Sequence, residues 1–239
     1  MGKETDGKDR ESGILIAGVS GRPIPPKGEL GERFDEQYYE NGVAAGISGY
    51  QDYHWMPERT LVFAHKIIKK LNLREGDRVL DYGCAKGFMV HAFRLLDLDA
   101  YGCDISSYAI SHAHPSVGDY LRLMSGNQIP FEDNFFREVV AKDVLEHIPE
   151  DSLAKILQES ARVGERLFAI IPLGDGRKYV IPSYENDVTH IHRQPREWWD
   201  DLFENTGWKV DGFSHLVPGM KQNYANYSKG NGFFFLKRV

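Results

Sequence analysis

From Thr60 onward the chain alternates two hydrophobic periods. TLVFAHKIIKKL repeats its apolar residues every three to four positions and puts Leu61, Ala64, Ile68 and Leu71 on one helical face. DRVLDYG is a short apolar run and predicts a strand. GFMVHAFRLLDL predicts a helix, DAYGCDI a strand, and SSYAISHA a helix with Ser106 as N-cap. DYLRLMSG and REVVAKDV predict a third and a fourth strand. EDSLAKILQESARV predicts an amphipathic helix with Leu153, Ile156 and Leu157 inward. ERLFAIIPL predicts a fifth strand. PREWWDDLFENTGW predicts a helix with Pro195 in its first turn and Gly207 at its end. WKVDGFSHL and GFFFLKRV close the chain as strands. Seven strands interleaved with helices predict an α/β class fold, a doubly wound and mostly parallel sheet covered on both faces.

The first 59 residues read differently. Residues 1 to 12 are polar and predict a disordered tail. Residues 13 to 59 lack sustained periodicity but carry Tyr38, Tyr39, Tyr50, Tyr53 and Trp55. So much aromatic surface favours burial over a linker, so an N-terminal cap or lid is expected, ahead of a catalytic domain over 60 to 239. Composition adds bounds. In 239 residues, 41% are hydrophobic and 27% charged, as in globular proteins, and the net charge is −6. That charge argues against a dedicated nucleic-acid surface. No apolar run reaches the roughly 20 residues of a membrane span, and MGKETDGKDRE does not read as a secretory signal. Two cysteines, Cys84 and Cys103, build no disulfide framework and point to a cytoplasmic setting.

Candidate chemistry collects at strand ends. Ligands of such sheets sit beyond the carboxyl ends of the strands. Gly83 to Gly87 follow the first strand, Asp104 ends the second, Asn127 follows the third and Asp143 ends the fourth. A phosphate-cradling loop needs Lys after its last glycine, and Phe88 stands there. A dinucleotide turn needs G-x-G-x-x-G, and GCAKGF matches it poorly. VLDYGCAKG instead resembles motif I of the class I S-adenosylmethionine-dependent methyltransferases, D-x-G-x-G-x-G. YGCDIS, GNQIPF and VAKDVLEHIPE match that family's following segments, so the resemblance spans about residues 60 to 239.

The resemblance implies a Rossmann-like domain that binds S-adenosylmethionine. It places Asp104 on the ribose hydroxyls, Asn127 and Gln128 near adenine, and Asp81, Gly83, Gly87 and Asp143 around the rest of the cofactor. Ala85 departs from the family's middle glycine and is tolerable at negative φ. Singly, each residue also has a plain reading: Asp81 and Asp104 as turn caps, the glycines as a tight connection. The order and spacing of all four favour the cofactor.

The acceptor is narrowed by what is missing. The chain has no N/D-P-P-Y/F motif after the fourth strand and no Pro-Cys dipeptide. Those absences turn the expectation from nucleic-acid bases toward a small molecule or carbohydrate precursor, methylated on oxygen. His190 is the leading general base and His147 the second, with His147 otherwise structural and His192 a surface residue. Tyr50, Tyr53 and Trp55 are expected in the lid, and Arg177, Lys178 and Tyr179 near the acceptor. No metal is expected. Asp143, Glu146, His147 and His190 form an alternative Mg²⁺ set, by resemblance to O-methyltransferases with a D-x-x-E-H…H pattern. A nicotinamide oxidoreductase and a non-catalytic cofactor-binding subunit are the remaining alternatives.

Overall fold

The computed structural model describes residues 30–239. The expected tail over 1 to 12 and the first part of the expected cap lie outside the described residues. Seven strands form one sheet in the order β3-β2-β1-β4-β5-β7-β6. They are β1 (Arg78–Tyr82), β2 (Asp99–Asp104), β3 (Leu121–Leu123), β4 (Phe136–Lys142), β5 (Gly164–Pro172), β6 (Trp208–Ser214) and β7 (Asn231–Arg238). All pairings are parallel except those of β7, which runs antiparallel to both β5 and β6. The α/β, doubly wound expectation holds. The strand order reverses between β1 and β4, which opens a crevice at their carboxyl ends.

Alternation along the strands supplies two cores, because successive side chains point to opposite faces. Leu80, Val139, Ala141, Leu167, Ala169 and Phe234 point to one face. There they meet Leu153, Ile156 and Leu157 of α6 (Glu150–Val163) and Trp199 and Phe203 of α7 (Arg196–Glu204). Val79, Val140, Phe168, Ile170 and Phe233 point to the other. They meet α3 (Pro57–Leu71) and α4 (Phe88–Leu95). Helix α3 starts at Pro57, as a proline without a needed N–H can. Its buried positions are Ala64, Ile67 and Leu71, so Ile67, not Ile68, is central to its inner face. Ser106 caps α5 (Ser107–Ser111) as expected, its Oγ accepting from the Ala109 N–H at 2.9 Å.

The segment ahead of α3 folds as two short helices, α1 (Glu36–Glu40) and α2 (Gly42–Ala45). Tyr38 and Tyr39 are buried there against Ala109, with Tyr50, Tyr53 and Tyr108 packed around them. Phe234, fully buried, stacks its ring 5.2 Å from that of Phe203 and 4.9 Å from that of Phe213. Phe234→Ala should cost about 3–5 kcal/mol in chemical denaturation. A loss below about 1 kcal/mol would contradict this close packing.

Candidate active site

The glycine turn after β1 alternates left-handed residues: Gly83, Ala85 and Gly87 have φ of +76°, +48° and +74°. Ala85 therefore departs from the negative φ expected of it. A Cβ in that region costs about 1–2 kcal/mol. The conformation is held because the Ala85 N–H donates to Asp104 Oδ2 at 2.7 Å. Asp104 Oδ1 accepts from the Ser106 N–H at 2.8 Å. The N–H groups of Gly83 and Cys84 donate to the Cys103 carbonyl at 2.9 and 3.1 Å. A Cβ on Gly83 would lie 2.4 Å from Val144, and one on Gly87 2.7 Å from Leu121. Packing and φ account for Gly87, which does not line the cavity described next.

A cavity of about 660 Å³ opens above the carboxyl ends of β1, β2 and β4. Asp81, Gly83, Asp104, Ile105, Met124 and Asn127 line one end. Gln128 is exposed and bridges to Ser125, off this wall. Asp81 is buried and has no hydrogen-bond donor among the described residues. Burial raises its carboxyl to about 7, against the pull of Lys142. Burial also raises Asp104, opposed by the N–H groups of Ser106 and Ala85.

Tyr50 and Tyr53 roof the cavity. Trp55 sits outside it, against Phe88, His91 and His114. Two ties fasten this roof. Ser106 Oγ donates to the Phe34 carbonyl. Lys86, inside the glycine turn and largely buried, donates to Glu40 at 2.6 Å and to the Tyr53 carbonyl at 2.8 Å. Glu40 also accepts from the Tyr108 hydroxyl at 3.1 Å. Lys86 lay unremarked in the sequence because its partner is 46 residues away.

The histidines sort differently from expectation. His147 lines the cavity, and His190 does not. His190 lies behind it, rings 4.6 Å apart, with its Nδ1 spent on the Tyr184 carbonyl at 2.9 Å. His192 is no surface residue: it is buried, with Nε2 on the Ile148 carbonyl at 2.7 Å. Thr189 Oγ1 donates to Asp187 Oδ1 at 2.5 Å, so it accepts from His147 Nδ1–H at 2.8 Å. Asp187 also accepts from the Tyr38 hydroxyl at 2.9 Å. Nε2 of His147 is left without a hydrogen-bond partner among the described residues. Burial, helped by His190, lowers His147 to about 4.

Donor atoms of Glu146, His147 and His190 lie within 4.8 Å of one another. Asp143 does not join them, because Lys142 at 2.8 Å and Lys221 hold its carboxylate. Burial alone would raise Asp143, but the two lysines outweigh it and keep it well below the usual range. Glu146 is fully buried with neither carboxyl oxygen hydrogen-bonded, and burial with Asp143 beside it raises it well above the usual range. Arg177 is exposed and Tyr179 gives its hydroxyl to the His192 carbonyl at 2.8 Å, so neither reaches the cavity. Lys142, Tyr184, Lys221 and Tyr224 line it instead. Lys142 adjoins the expected Asp143, but nothing local marks Lys221, whose loop enters from between β6 and β7.

Residues 80–166 match a family described as a methyltransferase domain. No curated protein matches the chain. Among solved structures, one described as a complex of the Haloferax volcanii Trm112 methyltransferase activator with a methyltransferase is 15% identical. That match covers 90% of this chain and 99% of the other, with a TM-score of 0.64. A SAM-dependent methyltransferase from Aquifex aeolicus is 20% identical over 77% of this chain and 93% of its own, TM-score 0.55. The [4+2]-cyclase SpnF is 12% identical over 88% and 95%, TM-score 0.61. At these identities the structures show the fold. The chain carries a class I, S-adenosylmethionine-dependent methyltransferase domain. S-adenosylmethionine is its cofactor.

Lys86→Met removes the tie between the glycine turn and Glu40. A lost hydrogen bond to a charged partner should cost about 1.5–3 kcal/mol. Hydrogen exchange should quicken across residues 34 to 53. Unchanged exchange there, in a folded variant, would contradict the tie.

Proposed function

We propose that the chain methylates a hydroxyl of a small molecule or sugar, with His147 as the base. One observation carries this reading. A single cavity joins the unpartnered carboxylate of Asp81 to an imidazole whose Nδ1 is fixed by Thr189 and Asp187. S-adenosylmethionine supplies a methyl group on a sulfonium whose departure leaves a neutral thioether. Asp81 offers the buried anion for the cofactor's ammonium. Asp104 keeps free lone pairs for ribose hydroxyls beyond those given to Ala85 and Ser106. Asn127, with Met124 and Ile105, borders the adenine. Tyr50 and Tyr53 roof the sulfonium with ring faces suited to a cation. The segment from residue 30 to 56 acts as the lid over both ligands, excluding water from the displacement.

His147 is neutral at pH 7 and takes the acceptor's proton at Nε2. Its low basicity is no obstacle, since a hydroxyl becomes strongly acidic as its oxygen is alkylated. Behind it, Thr189 and Asp187 hold the tautomer, and Tyr38 ties this relay to the lid. His190 supports the ring of His147 from behind. A metal is not part of the reading, because Asp143 is paired with Lys142 and Lys221, which takes it out of the expected four-residue set. No described helix is long and apolar enough to cross a membrane. The two buried free cysteines agree with a cytoplasmic enzyme.

Three outcomes are expected. Affinity for S-adenosylmethionine should rise as pH climbs through about 7, because below that Asp81 must lose a proton to meet a cation. Calorimetry in buffers of different ionisation heat should show proton release near pH 6.5 that Asp81→Asn abolishes. His147→Gln should lower turnover by roughly 10²–10⁴-fold with cofactor affinity kept, once an acceptor is in hand. In the wild type, with S-adenosylmethionine kept saturating so that the titration of Asp81 does not enter, the acid limb of turnover should fall near pH 4, not 6.5, as His147 protonates. A limb near 6.5 that survives His147→Gln would assign the base elsewhere. Activity should also survive exhaustive chelation, and its loss with recovery on adding Mg²⁺ would reject the metal-free reading.

A further inference from the structure

Charges of both signs line the cavity on neighbouring strands. Asp81 and Asp104 stand at the ends of β1 and β2. Lys142 and Asp143 stand at the end of β4, with Lys221 reaching in from the β6–β7 connection and Arg59 from α3. Asp143 lies between two ammonium groups, Lys142 at 2.8 Å and Lys221 in direct contact. Two cations around one carboxylate leave a surplus positive charge facing the cavity.

The two lysines are not equivalent. Lys221 is 9% exposed and also donates to the Tyr184 hydroxyl at 2.8 Å and to Asn231 Oδ1 at 3.3 Å. Its three N–H groups are used. Lys142 is 32% exposed, and Asp143 is its sole hydrogen-bond partner among the described residues. Two of its N–H groups remain unused. Its Nζ lies 5.6 Å over the ring of Phe63. Phe63 is one helical turn from Arg59, so the guanidinium flanks the same part of the cavity. Among the described residues, Arg59 makes only a 3.8 Å contact to the sulfur of Met56. The backbone pays for this arrangement: Asp143 and Lys221 are both held left-handed, at φ +51° and +48°. Neither is glycine, and such strain gathers where a site fixes its side chains.

We infer that Lys142, held in place by Asp143 and Lys221, forms with Arg59 a subsite for an anionic group on the acceptor. This rests on the reading of the cavity as a cofactor and acceptor site. The acceptor then carries a carboxylate or a phosphate beside its hydroxyl. Lys142 receives the anion, Arg59 closes over it from the mouth, and Asp143 keeps the Lys142 ammonium aimed. Tyr184 and Tyr224, rings 5.3 Å apart, flank the body of the same molecule.

The test uses the full chain saturated with S-adenosylhomocysteine. It is titrated at constant ionic strength with inorganic phosphate in one arm and acetate in the other, read by amide chemical shifts. At least one anion should give saturable shifts at Arg59, Asp143 and Lys221. Removing a charged partner should weaken that binding roughly ten-fold in Lys142→Met. Arg59→Met, on an exposed helix face, should weaken it about threefold, and Lys178→Met, outside the cavity, should leave it unchanged. Tighter phosphate marks a phosphorylated acceptor, tighter acetate a carboxylated one. Absence of saturable shifts at these residues in either arm overturns the subsite, as does binding indifferent to Lys142 and Arg59. A Lys142→Met protein that binds S-adenosylhomocysteine tenfold more weakly also overturns it, because the ammonium then holds the cofactor's own carboxylate. Should the wild type not bind S-adenosylhomocysteine, the reading of the cavity fails, while the same titration of the free protein still decides the anion subsite.

Discussion

The carboxylate of Asp104 is the constraint on which the site depends. It takes one N–H from Ala85 and one from Ser106, and so joins the turn after β1 to the turn after β2. Without that acceptor, Ala85 has no reason to stay left-handed and the turn loses its fixed path. From this junction two ties run outward. Ser106 reaches the Phe34 carbonyl, and Lys86 reaches Glu40 and Tyr53. The same few residues that shape the cofactor end therefore also fasten the roof. A buried carboxylate with both oxygens hydrogen-bonded is far cheaper to hold than one without partners. Asp81, on the adjacent strand β1, is the opposite case: no hydrogen bond from the described residues meets it, and only the charge of Lys142 opposes the cost of its burial.

Much of this was legible from order alone. The central strands follow from short apolar runs, since both their faces are buried, and the larger helices from a 3.6-residue period, since one face is; the edge strands β3 and β6 are partly exposed. The strand-end acids Asp81 and Asp104 were legible for the same reason, because a polar residue closing an apolar run has nowhere to sit but the sheet's edge. What failed were statements about direction. Tyr179 and Arg177 follow a strand end, yet one turns inward to His192 and the other to solvent. Trp55 sits in the aromatic segment but packs outside its roof. His147 and His190 exchange places because the chain passes behind the cavity at Asp187 before it turns back. Sequence spacing carries no sign for that turn. Lys221 and Asp187 were invisible: their partners are 78 and 149 residues away, in Asp143 and Tyr38.

Long-range pairs of this kind link the segment ahead of α3 to the ring of His147. Tyr38 belongs to α1, yet its hydroxyl closes a chain through Asp187 and Thr189 to the ring of His147. Each group in that chain has one geometry that satisfies it, because the threonine hydroxyl has a single proton to give. If α1 lifts, Asp187 loses an acceptor role in low dielectric, where a missing bond costs more than it does in water. If the segment acts as the proposed lid, its opening and the release of the imidazole are one event, because the same hydrogen-bond chain holds both.

The cavity's charge pattern follows the same economy. On the proposed reading, Asp81 and Asp104 present carboxylates to a ligand that is cationic at both sulfur and nitrogen. On the adjacent strand β4, Lys142 adds a positive charge secured by Asp143, itself held by Lys221, and beyond that strand His147 adds an imidazole whose basicity burial lowers. As the proposed base, His147 holds a proton only at a cost, so it hands the proton on as product leaves. Glu146 and His190 lie on the protein side of that ring, with neither oxygen of Glu146 hydrogen-bonded. With His147 as the proposed base, the proton leaves by the cavity that His147 lines, and recovery of the base is tied to departure of the methylated product.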